Sequence, residues 1–247
     1  MLPCVYVFQY SKDKIEKALY RLRCSINSIS TQTNNIYIVT DSNGPELTDS
    51  VYSIKDKYEI SILYTSKFNV TFNKSRLLNF AIKNYLLKYD YCILADTDII
   101  FSPDYIEKME KYTHGEPCRV TGFNQGAAHE FYISDFNEAV KLINEHGVTS
   151  YRCGESVGIG LLHIPSFLKI RGFNEDFQEY APEDCELNRR LSYINKHIYD
   201  PSIVNIHLYH EPNAANYTNE NNKIYEESEK RFLAGDLIRN DENFGEY

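Results

Sequence analysis

Three short stretches of this sequence combine residue types that do chemistry together. Asp96-Thr97-Asp98 follows the apolar run Tyr91-Cys92-Ile93-Leu94-Ala95. Two carboxylates one residue apart can share a hard cation, and on an extended strand they face the same side. The same pair also reads as a polar strand end in which one aspartate caps the helix that starts near Pro103, and the three-residue pattern alone favours that reading. Ile206-His207-Leu208-Tyr209-His210 sets two imidazoles three residues apart at the exit of another apolar run. Imidazole is the commonest side chain to join carboxylates around a transition metal. None of the other histidines, His114, His129 and His163 among them, has a comparable setting. In Tyr180-Ala181-Pro182-Glu183-Asp184, Pro182 suits the first helical position and the two acids the first turn. Carboxylates there either compensate the helix dipole or serve as a base that free backbone N–H groups keep ionised near neutral pH.

The elements that must position these residues alternate in the first half of the chain. Val5 to Tyr10 is an apolar strand. Asp13 to Ser28 carries Ile15, Leu19, Leu22 and Ile26 on one helical face. Asn35 to Thr40 reads as a second buried strand closed by the turn Asp41-Ser42-Asn43-Gly44-Pro45, and Ile60 to Tyr64 as a third. A helix over Asn73 to Tyr89 feeds the strand that ends at Asp96. Repeated βα units predict an α/β fold with a mostly parallel central sheet and helices on both faces. After Pro103 the rhythm changes: a short helix to Tyr112, strands near Cys118–Gly122 and His129–Ile133, a helix over Phe136–His146, and the Gly-rich strand Ser156–Leu162. A helix over Glu183–Asn195 and a strand over Ser202–Leu208 follow. One domain is predicted over about residues 1–212, and residues 213–247 read as a polar, partly helical tail, with an amphipathic piece near Tyr225–Leu237, lying on the surface or loosely held.

Composition narrows the classes. The 247 residues are 43% hydrophobic, enough for one sizeable core. Lys+Arg 26 against Asp+Glu 35 gives a net charge of -9, which offers no basic field for nucleic acid. The 6 cysteines are scattered without a CxxC pair, a pattern that fits reduced thiols in the cytoplasm. The start of the sequence lacks a basic region and a long apolar run, and no stretch reaches the length of a membrane span, so no integral membrane segment is expected.

Taken in order, Phe72-Asn73-Lys74-Ser75-Arg76-Leu77-Leu78-Asn79, Asp96-Thr97-Asp98, Gly172-Phe173-Asn174-Glu175 with Tyr180-Ala181-Pro182-Glu183-Asp184, and His207-Leu208-Tyr209-His210 resemble the nucleotide-sugar glycosyltransferases of GT-A fold. The likeness is to the β-1,4-galactosyltransferase and chondroitin-synthase-like branch, with kinship to the polypeptide N-acetylgalactosaminyltransferases. It runs from about Val5 to Pro212.

The resemblance implies a set of roles. Phe8, Gln9, Tyr10 and Ser11 would hold the nucleotide and Asp41 would contact the uridine. Phe72, Asn73 and Lys74 match an F-N-R stretch lining the nucleotide, with Lys74 keeping the cation but not arginine's bidentate fork. Asp96 and Asp98 match the DxD pair that holds Mn²⁺ (or Mg²⁺), Asp98 as the more direct ligand and Asp96 also on the nucleotide sugar, and His207 and His210 match the two positions that complete the metal shell in different branches. Tyr180 to Asp184 stands where relatives have W-G-G-E-D. It places Tyr180 against a sugar face, Glu183 on sugar hydroxyls and Asp184 as catalytic base, while Ala181-Pro182 lacks the flexibility of two glycines. Gly158, with Gly160, matches small residues that let a substrate approach the backbone, and equally fits plain strand packing.

The resulting expectation is an inverting, metal-dependent transfer of a hexose such as Gal or GalNAc from a UDP-sugar to a carbohydrate acceptor hydroxyl. The nucleotide-binding part would be about residues 1–100 and the acceptor-binding part about 101–212. Two alternatives belong to other classes: a nucleotide- or carbohydrate-binding module without catalysis, which needs no base, and a sugar nucleotidyltransferase. The latter needs a Gly-rich basic phosphate loop after the first strand, which Phe8-Gln9-Tyr10-Ser11-Lys12 does not supply.

Overall fold

Alternate residues of the first strand point to opposite cores. β1 (Cys4–Val7) sends Cys4 and Tyr6, with Phe8 just beyond it, into one apolar cluster and Val5 and Val7 into another. The computed structural model describes residues 1–8, 15–40, 60–64, 72–131, 133–152, 154, 158–210 and 218–246. Helix α1 (Ile15–Ser30) buries Leu19, Leu22, Ile26 and Ile29 in the first cluster, each worth about 1.5–3 kcal/mol of apolar burial. Helix α2 (Lys74–Tyr85) closes the second cluster with Leu77, Leu78, Ala81 and Ile82. The sheet is therefore covered on both faces, as its continuous apolar strands require.

β2 (Ile36–Thr40), β3 (Ile60–Tyr64) and β4 (Tyr91–Ala95) join β1 in the order β3-β2-β1-β4, all parallel. The chain moves outward from β1 to β3 and then returns to the other side of β1. In an open α/β sheet a ligand crevice lies at such a reversal, at the carboxyl ends of the two diverging strands. Here those ends are Phe8 and Asp96.

The second half extends the sheet in mixed fashion. β8 (Gly160–His163) pairs antiparallel with β4 and β6 (Cys118–Ala127), β6 runs parallel to β9 (Lys196–His207), and β9 pairs antiparallel with β5 (Ile99–Phe101). β7 (Val148–Arg152) hangs on β6. Between them run α3 (Tyr105–Glu110), α4 (Phe136–His146), α5 (Ile164–Lys169) and α6 (Glu183–Ser192).

Two expectations change, and of the two alternatives for the C-terminal segment, on the surface or loosely held, the first describes it. His129–Ile133 is not a strand among its described residues, because β6 itself continues to Ala127 and takes the pairing positions on β9 and β7. The strand expected over Ser156–Leu162 is β8, beginning only at Gly160; Ser156 and Val157 lie outside the described residues. The C-terminal segment is docked: α7 (Asn219–Leu233) buries Asn221 and Ser228, and Phe244 enters the second core cluster. Its sequence looks loose because what it buries is mostly polar and paired.

Candidate active site

The β5–β9 register builds the first of two polar clusters. Ile99 lies opposite His207, and the Leu208 N–H donates to the Asp98 carbonyl at 2.8 Å. Asp98 Oδ1 is thereby 3.6 Å from His207 Nε2, and its Oδ2 is 3.3 Å from His210 Nε2. One ligand atom from each of the three side chains lies within 4.8 Å of the others, the sole such group among the described residues. Asp98 Oδ1 is buried and accepts no hydrogen bond. Burial alone would raise this carboxyl, but the charge of His207, the hydrogen bond and charge of His210 and the more distant Arg21 hold it well below the ordinary range. A buried carboxylate oxygen with no donor, facing two imidazole nitrogens, fits a divalent cation. The imidazoles favour a transition ion over Mg²⁺, which prefers oxygen ligands.

Asp96 belongs to the second cluster. Asp96-Thr97-Asp98 is not extended; it turns between β4 and β5, so the two carboxylates part. Asp96 Oδ1 lies 3.1 Å from Lys74 Nζ, which also meets Asp184 Oδ2 at 3.0 Å and Glu183 Oε1 at 3.5 Å. Lys74 is held there by its place at the start of α2, where Asn73 Oδ1 caps the helix by accepting from the Arg76 N–H at 2.9 Å. Burial disfavours the ammonium, yet Asp184, Asp96 and Glu183 together raise its pKa well above the usual value. One cation does not satisfy three carboxylates. Burial and the charge of Asp184 outweigh Lys74 at Glu183 and push its carboxyl up to about 8, leaving it protonated near neutral pH.

Asp184 has a fitted seat. A Cβ on Gly158 would lie 2.2 Å from Asp184 Oδ2, so the small residue makes room for the carboxylate itself. Beneath it, buried Arg119 donates to the Gly158 carbonyl at 2.7 Å and the Leu161 carbonyl at 3.0 Å, and its Nε donates to Asn188 Oδ1 at 2.9 Å.

The remaining expected site residues divide. Tyr180 is 46% exposed and sits just before α6. The Phe72 carbonyl accepts from the Glu179 N–H at 2.7 Å, and Asn73 Nδ2 donates to the Glu175 carbonyl at 2.8 Å; Asn73 is thus committed to structure. The Phe8 ring is 1% exposed in the core, on the same strand face as Tyr6. Gln9, Tyr10, Ser11 and Asp41 lie outside the described residues.

Sequence reasoning missed Arg119 and the buried Glu186–Arg190 pair at 2.7 Å. The first showed only as a lone charge between Cys118 and Val120, the second as an i,i+4 spacing that surface helices share.

No protein-family model matches this chain, and no curated protein matches it in sequence. Solved structures do match in shape. S. aureus TarS 1–349, in complex with UDP-GlcNAc, superposes with a TM-score of 0.60 at 13% identity, covering 96% of this chain and 66% of that one. The mannosyltransferase PcManGT from Pyrobaculum calidifontis, with GDP-Man and Mn²⁺, gives 0.54 at 10% identity over 87% of this chain and 58% of its own. The chain has the GT-A fold. The catalytic domain of Drosophila β1,4-galactosyltransferase 7, in complex with xylobiose, is similar at 0.51 and 13% identity, over 91% of this chain and 79% of that one. At such identities the GT-A likeness is one of backbone. The chain spans less than two thirds of the mannosyltransferase, and no described helix is long and apolar enough to cross a membrane.

Proposed function

We propose that this protein is an inverting glycosyltransferase that moves a hexose from a UDP-sugar to a hydroxyl of a carbohydrate acceptor. One observation carries the reading: in a GT-A fold, at the carboxyl end of β4, a cation-seeking cluster of Asp98, His207 and His210 is joined through Asp96-Thr97-Asp98 to a second cluster that ends in Asp184. The nucleotide-binding part is about residues 1–100 and the acceptor-binding part about 101–212.

Asp98, His207 and His210 would hold Mn²⁺, which when bound neutralises charge on a leaving diphosphate. Asp184 accepts the acceptor O–H proton as that oxygen bonds to the anomeric carbon and the bond to the UDP oxygen breaks. Lys74 pairs with Asp184 and Asp96 and holds them in place, and Gly158 with Arg119 fixes the seat of Asp184 from below. Glu183, protonated near neutral pH, can donate to a sugar oxygen, and exposed Tyr180 offers a face on which a sugar ring stacks. None of the five described cysteines is in a disulfide, in keeping with a cytoplasmic enzyme.

The test is release of UDP or GDP from UDP-Gal, UDP-GalNAc, UDP-Glc, UDP-GlcNAc and GDP-Man, with saccharide acceptors, with and without Mn²⁺. Turnover of a UDP-hexose that disappears on chelation is expected. Absence of turnover with every donor in Mn²⁺ would overturn the proposal.

A further inference from the structure

The chain between α5 and α6 forms no helix or strand, so its backbone groups need partners from elsewhere. Asparagine side chains supply them from two sides. From α2, Asn79 accepts from the Phe173 N–H at 2.9 Å and donates to the Phe173 carbonyl at 2.9 Å, and Asn73 donates to the Glu175 carbonyl. From the C-terminal segment, Asn240 accepts from the Glu175 N–H at 3.0 Å and donates to the Arg171 and Phe173 carbonyls, each at 2.6 Å.

Asn221, in the first turn of α7, holds the stretch nearest the site. It is 2% exposed. Its Nδ2 donates to the Gln178 carbonyl at 2.7 Å and the Tyr180 carbonyl at 3.0 Å, while its Oδ1 accepts from the Gln178 N–H at 3.3 Å. Both amide protons are used, and all three bonds go to two residues. Between them Glu179 has a φ of 56°, a left-handed conformation that a non-glycine residue keeps only when its surroundings impose it. Asn221 imposes it from one side and the Phe72 carbonyl, accepting from Glu179, from the other. Tyr180 follows at once, and Glu183 and Asp184 three and four residues later. Within the first turn of α6, Glu186 is fastened to the same segment by Ser228 at 2.5 Å and Arg239 at 3.2 Å.

We infer that Asn221 is a positioning residue for the transfer site, so that the C-terminal segment, which lies beyond all the chemistry-bearing motifs, is part of the catalytic unit. It fixes residues 178–180, and through them the exposure of Tyr180 and the start of α6 that sets Asp184 against Lys74 and Gly158. The inference rests on the glycosyltransferase reading for its effect on turnover, but not for its effect on the loop.

The experiment compares Asn221→Ala and the milder Asn221→Ser with Asn84→Ala, which removes a bond of 2.8 Å to the Gly245 carbonyl at the far end of the same segment. Hydrogen exchange at the amides of residues 178–180 should speed up roughly tenfold or more in both Asn221 variants and stay unchanged in Asn84→Ala. With Mn²⁺ and the UDP-hexose that wild type turns over, kcat should fall roughly tenfold to a hundredfold. The Kd for UDP should move less than kcat does, because Asn221 itself bonds only to Gln178 and Tyr180. Unchanged exchange at 178–180, an equal rise throughout the chain, or wild-type kcat in both folded Asn221 variants overturns the inference. A wild type that turns over no donor defeats the functional reading instead, and the exchange comparison still decides whether Asn221 fixes this loop.

Discussion

The two carboxylates of Asp96-Thr97-Asp98 are neighbours in sequence and opposites in surroundings. Asp98 faces two imidazoles and keeps a buried oxygen with no donor, whereas Asp96 meets an ammonium that the protein itself provides. The first cluster sets one carboxylate against two imidazole nitrogens, a donor set that fits a divalent cation. The second has a cation of its own, Lys74, and shares it among three acids. A charge requirement can be met from outside or from within, and under the proposed function the first cluster would bind a metal while the second would hold a base in a fixed place.

The comparison makes Asp98→Ala the most damaging change. Turnover should fall by roughly three orders of magnitude or more, and the response to added Mn²⁺ should vanish; a variant that still responds to Mn²⁺ would show that Asp98 is not the ligand. Next comes Asp184→Asn, which should lower turnover by roughly two to four orders of magnitude. Its UDP binding and Mn²⁺ affinity should be kept, measurable by titration calorimetry, and loss of metal binding here would merge the two clusters into one. Gly158→Ala should push the Asp184 carboxylate off its seat, since the new methyl would lie 2.2 Å from Oδ2. A kcat reduced roughly tenfold to a hundredfold with an ordinary melting temperature is expected, and wild-type kcat would mean that the seat does not matter.

The smallest effect is on stability in metal-free buffer. The Glu183 carboxyl is raised from 4.5 to about 8 by burial and by Asp184, so the folded state holds a proton that the unfolded chain releases between those values. Its contribution to stability is complete below about 4.5 and is lost as pH rises through about 8. Glu183→Gln should flatten that decline in thermal melts taken across this range. An unaltered slope would place the titration elsewhere.

Much of the architecture was legible in local patterns. Apolar alternation and 3.6-residue spacing marked β1 to β4, α1, α2 and α4, because those elements bury one face or both and their periods follow from backbone geometry. The chemistry-bearing residues were legible by type: Asp98, His207, His210, Lys74, Glu183 and Asp184 all fall in the two clusters. Residue type does not carry direction, however. An extended Asp96-Thr97-Asp98 would have aimed both acids at one cation, and it is the turn between β4 and β5 that separates them.

Sequence alone determined the alternating βα layout and the supply of acids and imidazoles, since both depend on near neighbours. Only the tertiary structure decided which acid meets which cation. The partners come from far apart, Lys74 with Asp184 and Asp98 with His207, through sheet register and the reversal at β1. It also decided that the polar end of the chain is docked rather than loose. Asn221 and Asn240 satisfy backbone groups of an irregular segment and Arg239 pairs with the Glu186 carboxylate of α6, and buried polar pairing of that kind leaves no periodic trace in a sequence.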